Sequence, residues 1–547
     1  MNVQIPVDEK NKTYQTIANS IFEHGIDTIF GLMGDANLYF IDHFVRACRG
    51  KFVPAAYDGN ATLMALAYAQ VSGKIGVASV THGPALTNSI TPLTEGARGN
   101  IPMVLFAGDT PTADRRNLQD IDQRALVAVT GAGWEQVRTP QTASVDIAHA
   151  FYRARTERRP IVLNIPADFM WKDVPHTPTV YPVFQTPAFV PDGPTFEDAL
   201  GMIASARRPL ILAGYGAIDA KPALIDLAER IDAPLATTLR AKDLFRGHPN
   251  AIGLFGTLST PEAYSIIAQA DCIISFGASL HQFTTDRGLL CKGKRIVQVN
   301  DRPDEAGQTL HTDAVLIADA KLTAENFLMW INEAETAPSG FASEFAGRDV
   351  AAHPVPPPRA QKTGTIDFTT ALNWLETALP QDRVLVTDGG RFMTEVWCHI
   401  SAPDPRNFVL TANFGAIGLG LQEAVGAAAA VPNRPVTLFT GDGGFMLGGI
   451  NEFNTAVRLG QDLIVIVCND AAYGAEYVQF EDRQMDPALT LFDWPSFAQV
   501  ATSLGGQGVT VSTLEDLEQA GDVIAKRDGP ILIELMLDPS AMPRMRI

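Results

Sequence analysis

Residues 435–446 read PVTLFTGDGGFM, a β-forming run that goes straight into an aspartate held between glycines. A bare turn needs no more than Asp-Gly or Asn-Gly. Downstream, LGGINEFNTAVRLG sets Ile450, Phe453 and Val457 on one helical face. DLIVIV then reads as a strand buried on both sides, ending in CNDAAYG. Together these pieces make a β-α-β unit, whose crossover brings Asp442 close to Asn469 and Asp470 at the next strand end. Open α/β sheets bind ligands at the carboxyl ends of their strands. Oxygen ligands there, beside backbone amides left open by Gly441, Gly443 and Gly444, suit a Mg2+ that neutralises a diphosphate.

The same alternation extends outward. KIGVASV, IPMVLFAGD and RPIVLNIP are β-rich runs of an early segment; RPLILAGYG, CIISFGA and RIVQVND belong to a middle one; RVLVTDGG and PILIELML flank the opening stretch. Helical stretches separate them, which predicts parallel sheets. Two proline-rich passages, 177–195 and 336–365, read as linkers. They divide the chain into 1–180, 195–335 and 365–547, three α/β domains with doubly wound parallel sheets. In the middle segment, AGYGAID lacks the third glycine of a dinucleotide fingerprint and is better explained as a tight strand-to-helix turn.

A chain of 547 residues is too long for one core. With 46% hydrophobic and 19% charged residues the composition is that of a globular protein. The net charge of −19 argues against nucleic acid or an anionic membrane surface as partner. No run approaches the ~18 apolar residues of a spanning helix, and the acidic, polar start lacks a signal peptide's pattern. The five cysteines are scattered, without metal-ligand spacing or a disulfide framework. Cytoplasmic is the default localisation.

The Asp442 unit resembles the motif of thiamin-diphosphate enzymes, in which G-D-G is followed after roughly two dozen residues by an Asn pair. NFGAIGLGLQEAVGAAAA looks like the segment of that family that holds the aminopyrimidine, and the stretch from RPVTLF to VRLG looks like its acetolactate-synthase branch. IFGLMGDANLYFIDHF, AYAQVSGKIGVASVTHGPALTN and IPMVLFAGD match its pyrimidine domain. The resemblance covers all three segments in family order and implies thiamin diphosphate and Mg2+ as cofactors. It implies pyrimidine-binding, central and diphosphate-binding domains.

Carried onto this chain, Asp442 is one metal ligand. Counting from the G-D-G gives Asn469 as the second; matching NDAAYG to the family's N-N-x-x-Tyr-Gly gives Asp470, with the Ala472 carbonyl two residues on. A residue inserted in MLGGIN reconciles the two counts and favours Asp470, with Asn469 as the alternative. Gly415 and Ile417 match the grip on the pyrimidine, Gly390 and Arg391 a further diphosphate loop, and Tyr473 closes the metal motif. Asp58 stands where the family has a glutamate that hydrogen-bonds N1' of the cofactor, and its shorter chain reaches roughly 1.3–1.5 Å less far. A misplacement of ~1 Å can cost on the order of a hundredfold in a catalytic contact. Asp35, His82, Gln119 and Glu476 resemble substrate-side or proton-shuttling positions.

The resemblance implies an enzyme that makes or breaks a carbon–carbon bond next to a carbonyl, with 2-keto acids as the leading substrates. Decarboxylation would be followed by protonation or by carboligation. It also implies a homodimer or homotetramer with active sites between chains. Two alternatives stay open: hydrolysis of a diketone on the same cofactor, and a cofactor-binding protein with reduced turnover.

Overall fold

The structure is a computed structural model and describes residues 10–114, 116–182, 189–308 and 311–545. Residues 1–9 of the polar start and 183–188 of the first expected linker lie outside the described residues.

The apolar runs form three six-stranded sheets. Edge to edge, the first holds Lys51–Pro54, Thr28–Gly31, Gly76–Val80, Met103–Asp109, Pro160–Pro166 and Gly133–Gln136. The third holds Phe408–Leu410, Val384–Thr387, Val436–Gly441, Leu463–Asn469, Ile531–Met536 and Gln507–Val511. Numbered along the chain within each domain, both have the order 2-1-3-4-6-5. The middle sheet runs Ala251–Leu254, Leu235–Thr237, Pro209–Ala213, Cys272–Phe276, Arg295–Asn300 and Ala314–Ile317, the order 3-2-1-4-5-6. Every pairing within these sheets is parallel. Helices cover both faces, which is why strands such as Leu463–Asn469 are buried along their whole length.

In the first and third sheets the chain reverses direction across the sheet beside its first strand. The loops opened there are Leu32–Asp35 and Thr81–Gly83 in one, Asp388–Gly390 and Gly441–Gly444 in the other. The register Gly441↔Cys468 sets Asp442 beside the Asn469-Asp470 strand end.

Helix Asp58–Ser72 of the first domain packs along helix Gly420–Ala430 of the third. Small residues make the approach possible: a Cβ on Gly426 would stand 2.1 Å from the Met64 carbonyl oxygen. The two domains therefore share one hydrophobic core, in which Leu63 and Met64 meet Ala424 and Val425.

Three local features differ from the sequence expectation. The second linker is not bare chain, because Phe341, Phe345 and Val350 are buried in the middle domain around the 3-10 turn Ala342–Phe345. Behind the G-D-G the chain forms two short helices, Asp442–Leu447 and Glu452–Arg458, and Ile450 lies in the turn between them. The turn follows from Gly449, whose φ of +88° interrupts a continuous helix. A small antiparallel pair, Lys10–Lys12 with Asp173–Pro175, also stands outside the three sheets. Gly214 does serve a tight turn: a side chain there would strike the Gly277 carbonyl oxygen at 2.2 Å. Among the described residues no helix is long and apolar enough to cross a membrane.

Candidate active site

Asp442 opens the short helix at the end of Val436–Gly441, and Asp470 follows the end of Leu463–Asn469. Both are buried. One oxygen of Asp442, Oδ2, accepts from Ala472 N–H at 3.1 Å and from Trp494 Nε1–H at 2.8 Å. Burial raises Asp442 to about 6, and burial together with the Asp442 charge raises Asp470 to about 8. Two carboxyls so placed share a need for positive charge. Among the described residues no group of three or more His, Cys, Asp or Glu side chains gathers as a metal site. Two carboxylates with a backbone carbonyl are an all-oxygen donor set, which suits a hard cation such as Mg2+.

Asn469 faces the other way. Its Nδ2 donates to Glu534 Oε1 at 2.9 Å, and its Oδ1 accepts from Ala471 N–H at 3.1 Å. Because the Ala471 backbone N–H can only donate, the amide oxygen is the atom that faces it, and the orientation is determined. Of the two candidate ligands, Asp470 is the one whose side chain is not committed to the sheet.

The glycine positions form a cradle around these acids. A Cβ on Gly443 would stand 2.7 Å from the Tyr473 ring, and one on Gly444 3.1 Å from Asp388 Oδ2. Asp388, which the sequence did not single out although it stands in the quoted VTDGG, is buried beside them. Its carboxyl accepts from Gly389 N, Gly418 N, Leu419 N and Thr440 Oγ1, tying three loops together. Held in this way, Gly415 has a φ of +77° and Ile417 is 38% exposed, unusual for an isoleucine. The methyl Cγ2 of Ile417 lies 3.3 Å from where a Cβ on Gly389 would be, so the Ile417 and Gly389-Gly390 loops adjoin. Glu95 of the first domain braces the same region, accepting from Asn413 N and Phe414 N at 2.9 and 2.7 Å.

Arg391 is used differently from the sequence expectation. Its guanidinium donates to the carbonyls of Pro543, Pro539 and Met542, strapping down the C-terminal segment. Tyr473 is partly exposed and packs on Phe492, which stacks on Trp494 at 4.7 Å between centroids. Glu476 is exposed on helix Gly474–Asp482.

In the first domain, Asp58 begins helix Asp58–Ser72 and is 8% exposed. Burial raises its pKa, partly offset by Asn88 Nδ2–H, which donates to Oδ2 at 3.2 Å. The neighbouring glycine is required: a Cβ on Gly59 would stand 2.4 Å from the Asn88 carbonyl oxygen. Glu452 of the third domain accepts from Ala56 N and Asn60 Nδ2, both at 2.8 Å, and so pins the chain on either side of Asp58.

His82 and Gln119 are brought together, since a Cβ on Gly83 would stand 2.2 Å from the Gln119 carbonyl oxygen. His82 is buried, and its Nδ1 has no hydrogen-bond partner among the described residues. Gln123, which the sequence did not single out, holds this loop by accepting from Gly83 N and donating to Gly108 O and Asn164 Oδ1. Asp35 is exposed in the adjoining loop, whose Gly34 abuts Thr81.

Residues 11–126 match the N-terminal TPP binding domain of thiamine pyrophosphate enzymes, 196–327 their central domain and 388–535 their C-terminal TPP binding domain. Sulfoacetaldehyde acetyltransferase of Rhodobacter capsulatus is 29% identical, with 93% of this chain and 90% of that protein covered. Acetolactate synthase large subunit of Parasynechococcus marenigrum is 28% identical over 95% of this chain and 86% of that protein. "Probable 2-ketoarginine decarboxylase" of Pseudomonas aeruginosa is 27% identical over 95% and 93%. With matches to all three domains in family order, and with relatives aligned nearly end to end, this chain belongs to the thiamine pyrophosphate enzymes.

Proposed function

We propose that this thiamin-diphosphate-dependent enzyme also needs Mg2+ and acts on 2-keto acids, as a decarboxylase or carboligase of acetolactate-synthase type. The observation that carries the reading is the buried pair Asp442 and Asp470, aligned at neighbouring strand ends beside the Gly443-Gly444 cradle. Asp442, Asp470 and the Ala472 carbonyl would hold the cation, and Gly441, Gly443 and Gly444 would let the diphosphate approach the backbone. Gly415 and Ile417 would hold the pyrimidine on the loop that Asp388 and Glu95 brace. When bound, thiamin diphosphate supplies an electron sink for the carbon next to the substrate carbonyl.

The chain's own residues supply the proton chemistry. Asp58, its pKa raised by burial, is suited to share a proton with a ring nitrogen. His82, with Nδ1 unpartnered among the described residues, and Gln119 beside it would face the substrate. Asp35 and the exposed Glu476 are outer candidates on the same side of the reaction. Arg391, committed to the C-terminal carbonyls, and the adjoining Gly390 would shape the loop instead of gripping the diphosphate. In this reading the Asp58 cluster serves the cofactor of a second copy, so that a homodimer is the minimum active unit.

A panel of 2-keto acids tests the proposal, with trapped CO2 and the organic product identified. Diketones and sulfoacetaldehyde, the latter from the names of relatives, are the other arms. Ring-opened or cleaved acid from a diketone without CO2 would replace the decarboxylase reading by a hydrolase one. Cofactor binding with no turnover of any substrate would favour the reduced-turnover alternative, which the shorter Asp58 motivates.

A further inference from the structure

Glu534 lies in the middle of strand Ile531–Met536, is 2% exposed and touches none of the proposed cation ligands. Its two oxygens nevertheless reach both structures that hold Asp442. Oε1 accepts from Asn469 Nδ2 at 2.9 Å, which turns Asn469 Oδ1 onto Ala471 N–H. That contact stabilises Ala471 at a φ of +51°, a left-handed conformation that residues with a Cβ rarely adopt. The turn so formed aims Ala472 N–H at Asp442 Oδ2. Oε2 accepts from Ser496 Oγ, Ala498 N and Thr510 Oγ1, each at 3.2 Å. Ser496 and Ala498 stand two and four residues after Trp494, whose indole N–H is the other donor to Asp442 Oδ2.

We propose, on the basis of the cation site read above, that Glu534 is its positioning residue: it fixes Ala472 N–H and Trp494 Nε1–H so that both donors occupy Oδ2 of Asp442. The rest of the Asp442 carboxyl, beside Gly443 N–H, and the carboxyl of Asp470 would then face the ion. Asn469 is the connector in this scheme and not a ligand. Partners beyond the ligands typically change metal affinity about 10–100-fold when removed.

The test is a Mg2+ titration of the full chain at fixed thiamin diphosphate, read as thermal shift, beside the melting temperature without either. Glu534→Gln places an amide N–H against a donor, either Asn469 Nδ2 or the Ser496 side. Asn469→Asp places two carboxylates together. Each is expected to raise the Mg2+ midpoint about 10–100-fold. The double variant, Glu534→Gln with Asn469→Asp, restores donor against acceptor and is expected to recover most of the loss.

An unchanged midpoint in Glu534→Gln, even with a lowered melting temperature, would reduce Glu534 to a structural residue and overturn the inference alone. If Glu534→Gln does not fold, Asn469→Asp decides: tighter Mg2+ binding would make Asn469 a ligand and overturn the scheme. Absence of any Mg2+-dependent shift in the parent would overturn both this inference and the cation site beneath it.

Discussion

Asp58 is enclosed, raised in pKa by burial, and accepts a hydrogen bond from the Asn88 side chain. If it activates the cofactor, Asp58→Ala should leave cofactor binding largely intact yet slow deuterium exchange at C2 by roughly two to four orders of magnitude. Exchange in that variant equal to the parent's would make Asp58 no more than a helix-start residue. Asp470→Ala should weaken Mg2+-dependent cofactor binding far more than Asn469→Ala, because the amide is engaged with Glu534. The opposite ranking in a thermal-shift titration would return the ligand role to Asn469. Glu423 offers a pH test. Burial, with Glu95 and Asp388 nearby, raises it well above 4.5. A folded value above the unfolded one means that stability present at low pH is lost as pH rises from about 4.5 through the folded value. Glu423→Gln should therefore gain melting temperature over the parent progressively as pH rises above about 4.5. A gap that stays constant across that range would show that Glu423 does not titrate in this manner.

Between elements, the contact of helices Asp58–Ser72 and Gly420–Ala430 depends on the absence of a side chain at Gly426. Gly426→Ala should force the helices apart and destabilise by about 1–3 kcal/mol, the usual scale of overpacking. Denaturant unfolding reads this directly, and an unchanged midpoint would mean that the helices are less closely packed than the 2.1 Å approach to Met64 indicates. The same helix carries the family-like run of alanines, so its sequence announces close packing. The partner helix, some 360 residues away, is identified only by the three-dimensional arrangement.

For the molecule as a whole, cofactor binding should be conditional on the cation. Thiamin diphosphate is expected to raise the melting temperature with Mg2+ present and not in excess chelator, since an uncompensated diphosphate would be repelled by Asp442. An equal shift in both conditions would remove the metal from the account. The shared core of the first and third domains is expected to couple their unfolding, and Leu254 and Leu258 of the middle domain pack into a further core cluster of the third.

The sequence by itself determined the three parallel α/β sheets, because alternation of buried runs and amphipathic stretches is a local property of the chain. It also placed Asp442 and the Asn469-Asp470 pair at strand ends, since a G-D-G after a buried strand and a second buried strand leave little choice. It did not reveal Asp388, Glu95, Trp494 or Glu534. A buried carboxylate that ties loops together looks, in one dimension, like any acid in a strand or helix. Counting alone gave two answers for the second ligand, Asn469 and Asp470. Only the tertiary structure sets Glu534 of a neighbouring strand against the Asn469 amide and leaves the adjacent Asp470 carboxyl beside Asp442, which supports the proposal of Asp470. Hydrogen-bond partners distant in sequence are chosen by register and packing, and neither can be read from the spacing of residues.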